Sequence, residues 1–256
     1  MQDYQNSDKK SLKRISSLKQ LLSSYLVSAS LVEIRNEREK ELRDTAKGSI
    51  PEINTTDEVI KDLFIQFAEV VDFKKALLEI AKKGLEDIDK YNFADDPSIN
   101  KAASSDIEHL RTDFSTSFAL LENINLKDHT LRVFRIAIEE GQKKGRAIQV
   151  AVPILACLFH DFGKSNLLRE HHMGVESGKA YRKHAAVSKI YIEEEIRPAF
   201  RSSEETINML SMLVENHHPS NNRMKRQEDI AFIIKADHDA RKEEIKIIKE
   251  KIKKED

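Results

Sequence analysis

The stretch LACLFHDFGK, residues 155–164, decides how this chain reads. A mostly apolar run leads straight into an adjacent imidazole and carboxylate, His160 and Asp161, and then into Gly163 and Lys164. A helix this apolar belongs in a core, where an unpaired imidazole and carboxylate carry a desolvation penalty. A metal ion removes that penalty, because it neutralises the acid and accepts the ring nitrogen's lone pair. Neighbouring helix residues project about 100° apart, so the pair can flank one ion at a helix end but cannot complete its shell. Other segments must supply the rest.

The sequence offers such donors on separate segments. His129 lies at the start of LKDHTLRVFRIAIEEGQKK (126–144), where Leu131, Phe134 and Ile138 share one side. His184 opens HAAVSKIYIEEEI, and His217 and His218 close EETINMLSMLVENHH. Asp237 follows an apolar run in DIAFIIKADHDAR. The order is H, HD, H, HH, D, with each group beside an apolar stretch that can fix it. At least one of His217 and His218 is expected to be a ligand. The plainer readings are a surface ion pair for His160-Asp161 and a helix-dipole partner for Lys164. Asp239, His238 and His109 read as solvent-facing.

Composition sets the frame. The 256 residues include only 7 Gly and 5 Pro, well under the usual share, so segments are long and helical. Charged residues make up 34% against 6% aromatics, the profile of amphipathic helices with solvated faces. A net charge of −1 provides no global field to recruit nucleic acid or a membrane surface. Cys157 is the single cysteine, which rules out an intrachain disulfide and argues against thiolate metal sites. With a polar N-terminus and no apolar run near the ~18 residues of a membrane span, the expectation is a cytoplasmic protein.

Residues 11–46 carry a helical repeat of apolar positions, and Gly48–Pro51 break it. NTTDEV (54–59) begins the next helix, with Thr55 or Thr56 as its cap, and an apolar stripe runs on toward residue 90. YNFADDPSINKAASS (91–105) reads as a polar linker. Eight of the nine histidines lie between 129 and 238. The division expected is therefore an accessory helical region with linker over 1–100 and a working domain over 101–256. Residues 147–162 read as one central helix, and the last sixteen residues as a solvated one. No period-two strand and no internal repeat stands out, so the fold class is all-α.

The constellation resembles the HD-domain metal-dependent phosphohydrolase superfamily, on the strength of DHTLRV (128–133), LFHDFGK (158–164) and KAD (235–237). The resemblance implies an HD-domain-like helical bundle over roughly 106–240. It also implies His129, His160, Asp161 and Asp237 as ligands of a first metal. His184, His217 and His218 are similar to the added histidines of members that hold two metals, with Asp161 bridging them. The chain departs from the HD-GYP branch: PSNNRMK follows His218, with no acid and no Gly-Tyr-Pro, and Asn125 stands where those proteins have a glutamate before the first histidine.

The activity so implied is hydrolysis of a phosphate ester, as phosphohydrolase or phosphodiesterase, of a nucleotide or nucleic acid, with Asp161 and Lys164 catalytic. Lys164, Arg169, His172 and Arg182 are the expected substrate contacts. The cofactor is one or two divalent metal ions, Mn or Fe favoured, with Mg, Ni, Co and Zn compatible with N/O donors. Expected partners are the phosphate-containing small molecule or nucleic acid substrate, no membrane, and a second copy or another protein bound through the N-terminal helices. The competing readings are a non-catalytic nucleotide- or metal-binding signalling or scaffold module and a di-iron oxygenase of the same fold.

Overall fold

The computed structural model of the chain describes residues 50–99, 121, 123–143, 147–173, 184–200, 203–218 and 227–255. The helical segment expected over 11–46, and Arg182 among the substrate contacts, lie outside the described residues. The helices are α1 (Glu58–Val70), α2 (Lys75–Lys90), α3 (Leu126–Lys143), α4 (Ala151–Phe159), α5 (Asn166–Met173), α6 (His184–Tyr191), α7 (Glu204–Glu215) and α8 (Gln227–Glu255). Short 3₁₀ turns at Ala147–Val150 and Phe162–Lys164 flank α4, and a π-helical turn, Ile192–Ile196, continues α6. The fold is all-α. Among the described residues there is no strand, only one isolated bridge between Pro97 and Asn125. No helix among them is long and apolar enough to cross a membrane.

Helix α4 is the hub. All nine of its residues are buried, and it packs against α2, α3, α7 and α8. Pro153 is tolerated because it falls in the first turn, where the backbone N–H has no intrahelical partner anyway. The single helix expected over 147–162 is instead a 3₁₀ turn, α4, and a second 3₁₀ turn. The chain bends as α4 ends at Phe159, so His160 and Asp161 occupy the turn itself rather than a continuing helix.

Below that turn lies an aromatic layer. Phe162 stacks edge-on against Phe93 at 4.8 Å and Phe159 at 5.0 Å between ring centres, with the Tyr191 ring at 5.1 Å. The Tyr191 hydroxyl donates to Asp87 Oδ2 at 2.6 Å, and Lys83 pairs with the same oxygen. Burial, then the Asp87 carboxylate, raises the Tyr191 hydroxyl well above its usual pKa, so it remains a donor at neutral pH. This contact ties α2 to the end of α6.

Three sequence expectations change here. Helix α1 is capped by Asp57, whose carboxylate accepts from the N–H groups of Val59 and Ile60; Thr55 serves instead by donating to Asp89 and accepting from the Asp57 N–H. The working unit begins at Ile50 rather than 101, because α1 and α2 bury Phe64, Phe67, Ile80 and Leu85 in the same core as α3 and α4. Finally, 91–99 is no linker: Phe93, Asp96, Ser98 and Ile99 are buried. Asp96 accepts the N–H of Asn166, the first residue of α5, at 3.0 Å and the Asn166 side-chain amide at 2.7 Å. The polar residues that read as linker are satisfying backbone groups inside the fold.

Replacing Tyr191 with Phe removes the hydroxyl while leaving the Asp87 carboxylate in place. Stability measured by urea unfolding is expected to fall by about 1.5–3 kcal/mol, the range for a buried hydrogen bond to a charged group.

Candidate metal centre

His160 and His217 are presented by the same device. Each follows a helix, the apolar α4 or the amphipathic α7, and each ring donates Nδ1–H to the carbonyl three residues back: His160 to Cys157 at 2.8 Å and His217 to Val214 at 2.6 Å. That bond leaves Nε2 as the free lone pair and aims it away from the helix end. His129 is fixed differently. Its Nδ1 lies 2.9 Å from Oε1 of Glu244, a fully buried carboxylate on α8. Arg132 at 3.0 Å and Arg241 at 2.9 Å clamp Glu244 in turn.

These side chains converge on Asp161. Its Oδ2 lies 3.4 Å from His129 Nε2, 3.3 Å from His160 Nε2 and 2.9 Å from Lys164 Nζ. Its Oδ1 faces the other way, 3.2 Å from His184 Nε2. Asp237 Oδ1 closes the first group at 3.2 Å from His129 Nε2. In the second group His184 Nε2 lies 3.3 Å from His217 Nε2 and 2.9 Å from His218 Nε2. Both adjacent histidines therefore face His184. The groups His129–His160–Asp161 and His184–His217–His218 are both buried, and each can hold a metal ion.

The fit to a cation rests on unsatisfied atoms. His129 Nε2, His160 Nε2 and Asp237 Oδ1 are buried and make no hydrogen bond within the protein. Leaving one such atom unpaired costs about 1–3 kcal/mol, and here three face one another. A cation satisfies all three. The electrostatics agree. Burial would raise Asp161, but His160, Lys164 and His129 overturn it and hold the carboxyl well below its ordinary range. Asp237 is held low in the same way, against burial, by His129, His160 and Arg241. Burial keeps His184 and His217 neutral, which is the ligating form. Around His129 burial and Arg241 oppose a charge, yet Glu244, Asp161 and Asp237 outweigh them and push its pKa up to about 9. A proton on His129 and a cation beside it are alternative answers to the same cluster of carboxylates.

A cavity of about 440 Å³ opens onto this centre, with Asp161, Lys164, His184 and Asp237 in its wall. Lys164 reaches it from the turn, steadied by the Ser98 carbonyl at 3.1 Å. Two expected substrate contacts lie elsewhere. Arg169 folds back to donate to the Gly163 carbonyl at 2.5 Å, and His172 turns to Glu194 at 2.7 Å; neither lines the cavity. Helix α8 adds Lys235, His238 and Arg241 to the cavity wall. Arg241 donates to the Ser98 hydroxyl at 2.8 Å and carbonyl at 2.9 Å. Sequence reading placed Arg241 and Glu244 in a solvated charge run. Their spacing from Asp237, four and seven residues, puts all three on one helix face and was the available signal. His238 is exposed, as expected, but at the cavity wall.

Gly163 permits a close approach of two backbone segments. A Cβ there would meet the His184 carbonyl oxygen at 2.0 Å and the Ser188 nitrogen at 2.8 Å. The Gly163 N–H instead donates to Ser188 Oγ at 2.7 Å, and Ser188 Oγ donates to the His160 carbonyl at 3.0 Å. Only glycine allows α6 close enough to bring His184 to Asp161. Comparison of the chain with models of protein families, with curated proteins and with solved structures finds no match.

Gly163→Ala is expected to destabilise the protein by about 1–3 kcal/mol or more in urea unfolding, because the clash is with backbone rather than a movable side chain. A neutral or stabilising result would remove the close-approach argument.

Proposed function

We propose that the chain is a metal-dependent phosphohydrolase of the HD-domain kind, hydrolysing a phosphate ester of a nucleotide or nucleic acid. The observation that carries the reading is Asp161, which presents Oδ2 to His129 and His160 and Oδ1 to His184. A shared carboxylate between two imidazole groups suits one or two divalent ions, with His129, His160, Asp161 and Asp237 holding one and His184, His217 and His218 the other. A divalent cation so held supplies Lewis-acid polarisation of a phosphoryl oxygen and lowers the pKa of water.

The chain's own groups provide the remainder. Lys164 stands at the cavity wall beside Asp161, where its ammonium can offset charge gathering on equatorial phosphoryl oxygens. Arg241 and Lys235 of the same cavity wall offer further cations for flanking phosphates. Ile99, Ile234 and Ile245 give the same cavity an apolar portion suited to the body of the ligand. Glu244 orients His129 from behind, so its loss acts through the histidine. The donor set is nitrogen and carboxylate oxygen, compatible with Mn, Fe, Co, Ni or Zn.

Purified protein with added Mn²⁺ is expected to release phosphate or a phosphomonoester from a panel of nucleotides and generic phosphodiesters. Asp161→Ala is expected to lower that rate by 10³-fold or so, in line with loss of about 4 kcal/mol of transition-state stabilisation. Full activity in Asp161→Ala would refute the assignment. Iron-dependent oxygen consumption without phosphate release would select the oxygenase reading, and stoichiometric nucleotide binding without turnover the scaffold reading.

Chelation gives a separate check. Because the buried carboxylates and imidazoles lose their counter-ion, removal of metal is expected to lower the thermal unfolding midpoint by several degrees. An unchanged midpoint would indicate that the protons and Lys164 alone neutralise the cluster.

A further inference from the structure

Beside Tyr191, where α5 ends against the π-helical turn, stands a third group of ligating side chains that the phosphohydrolase reading does not use. We propose that His171, His172 and Glu195 form a peripheral binding site for a divalent cation of the Zn²⁺ type, pinning α5 to the end of α6. The three residues can each offer a ligand atom within 4.8 Å of the others.

The decisive atom is Nε2 of His172. The His172 side chain is only 1% exposed, and its Nδ1 lies 2.7 Å from Glu194 Oε2. Nε2 is buried and has no hydrogen-bond partner. A neutral ring donating Nδ1–H to Glu194 leaves a desolvated lone pair on Nε2; a protonated ring leaves a desolvated N–H there instead. Neither state is satisfied by the protein, and a cation resolves the first. Carboxylate, histidine and metal in series is the arrangement by which proteins fix the tautomer and raise the basicity of a ligating imidazole.

The other two ligands are set by separate features. Glu195 divides its oxygens. Oε2 faces Lys83 at 3.6 Å and Lys90 at 3.8 Å, while Oε1 faces His171 Nε2 at 3.5 Å. The lysines therefore leave Oε1 to the histidine side. The Arg197 N–H bonds the Ile192 carbonyl five residues back at 2.9 Å, the mark of a π turn. This wider turn brings the directions of consecutive side chains closer together than an α turn does, so Glu194 and Glu195 both reach the α5 histidines. His171 is 58% exposed, which provides an entry path and leaves one side of the site open to water. Two imidazoles and one carboxylate with a remaining open position is a familiar zinc donor set.

The test uses the full chain without a histidine tag, loaded with Zn²⁺, freed of excess metal by gel filtration and analysed for zinc per protein. His171→Gln and Glu195→Gln are the main variants because both positions reach the surface, with circular dichroism confirming the fold; His172→Ala is the third. Each is expected to lose about one equivalent of zinc relative to the unmodified chain, while Asp161→Ala retains that equivalent and loses metal only from the central group. Unchanged zinc content in both His171→Gln and Glu195→Gln would overturn the peripheral site and leave the central one standing. Complete loss of zinc in Asp161→Ala would overturn it as well. Unchanged content in Asp161→Ala with loss in the peripheral variants would support this site and count against the central one.

Discussion

A carboxylate taken out of water must be answered by positive charge, and Asp161 is the place where this fold meets that requirement most acutely. Three imidazoles and one ammonium surround it, contributed by α3, the turn after α4, and α6. Around this one group the helices have little freedom. Helix α4 must end at Phe159 so that the turn can face inward, and α6 must come near enough for His184 to reach Oδ1. The aromatic layer of Phe93, Phe159, Phe162 and Tyr191 supports the turn from below. The polar centre and the apolar core are thus two sides of one packing solution.

The sequence carried the helical class and the members of the buried histidine and carboxylate groups in legible form. Long apolar periodicities and scarce turn residues point to helices whatever their arrangement. A histidine directly after an apolar run, as at His160, or two residues further on, as at His217, locates a helix end aimed into the core. What it did not disclose was long-range accounting. Asp96 reads as a loop residue because nothing nearby shows that it will accept from Asn166, seventy positions on. Ser98 likewise gives no sign that Lys164 and Arg241 will share its carbonyl. Arg241 and Glu244 were lost in a run of like-looking charges, since periodicity marks apolar faces well and buried ionic faces poorly. His172 counts among the substrate contacts by sequence because nothing nearby shows that its ring will face Glu194, twenty-two positions on.

The electrostatics of the centre depend on an unequal division. Two of the histidines, His184 and His217, are held neutral by burial, while the carboxylates about His129 push its pKa up to about 9, a demand for positive charge that a proton or a cation can meet. Glu244, which burial would raise, is instead driven down to about 2 by His129, Arg241 and Arg132. Glu244 and its two arginines thus carry a charge balance of their own behind His129, so the inner donors are left to respond to whatever cation arrives. Orientation and neutralisation are assigned to different residues.

Helix α8 runs for 29 residues, about 44 Å of axis. Asp237, Arg241 and Glu244 occupy a short part of it, and from Lys246 to Lys254 its side chains are mostly exposed. The two portions live under opposite rules. One residue inserted between Ala236 and Glu244 would rotate everything beyond it by about 100°, turning the Glu244 carboxylate off His129. The same insertion past Ile245 would merely lengthen a solvated rod. Variation in this helix should therefore be tightly phased on its inner half and almost free on its outer half, with Ile245 as the point where the phase ceases to matter.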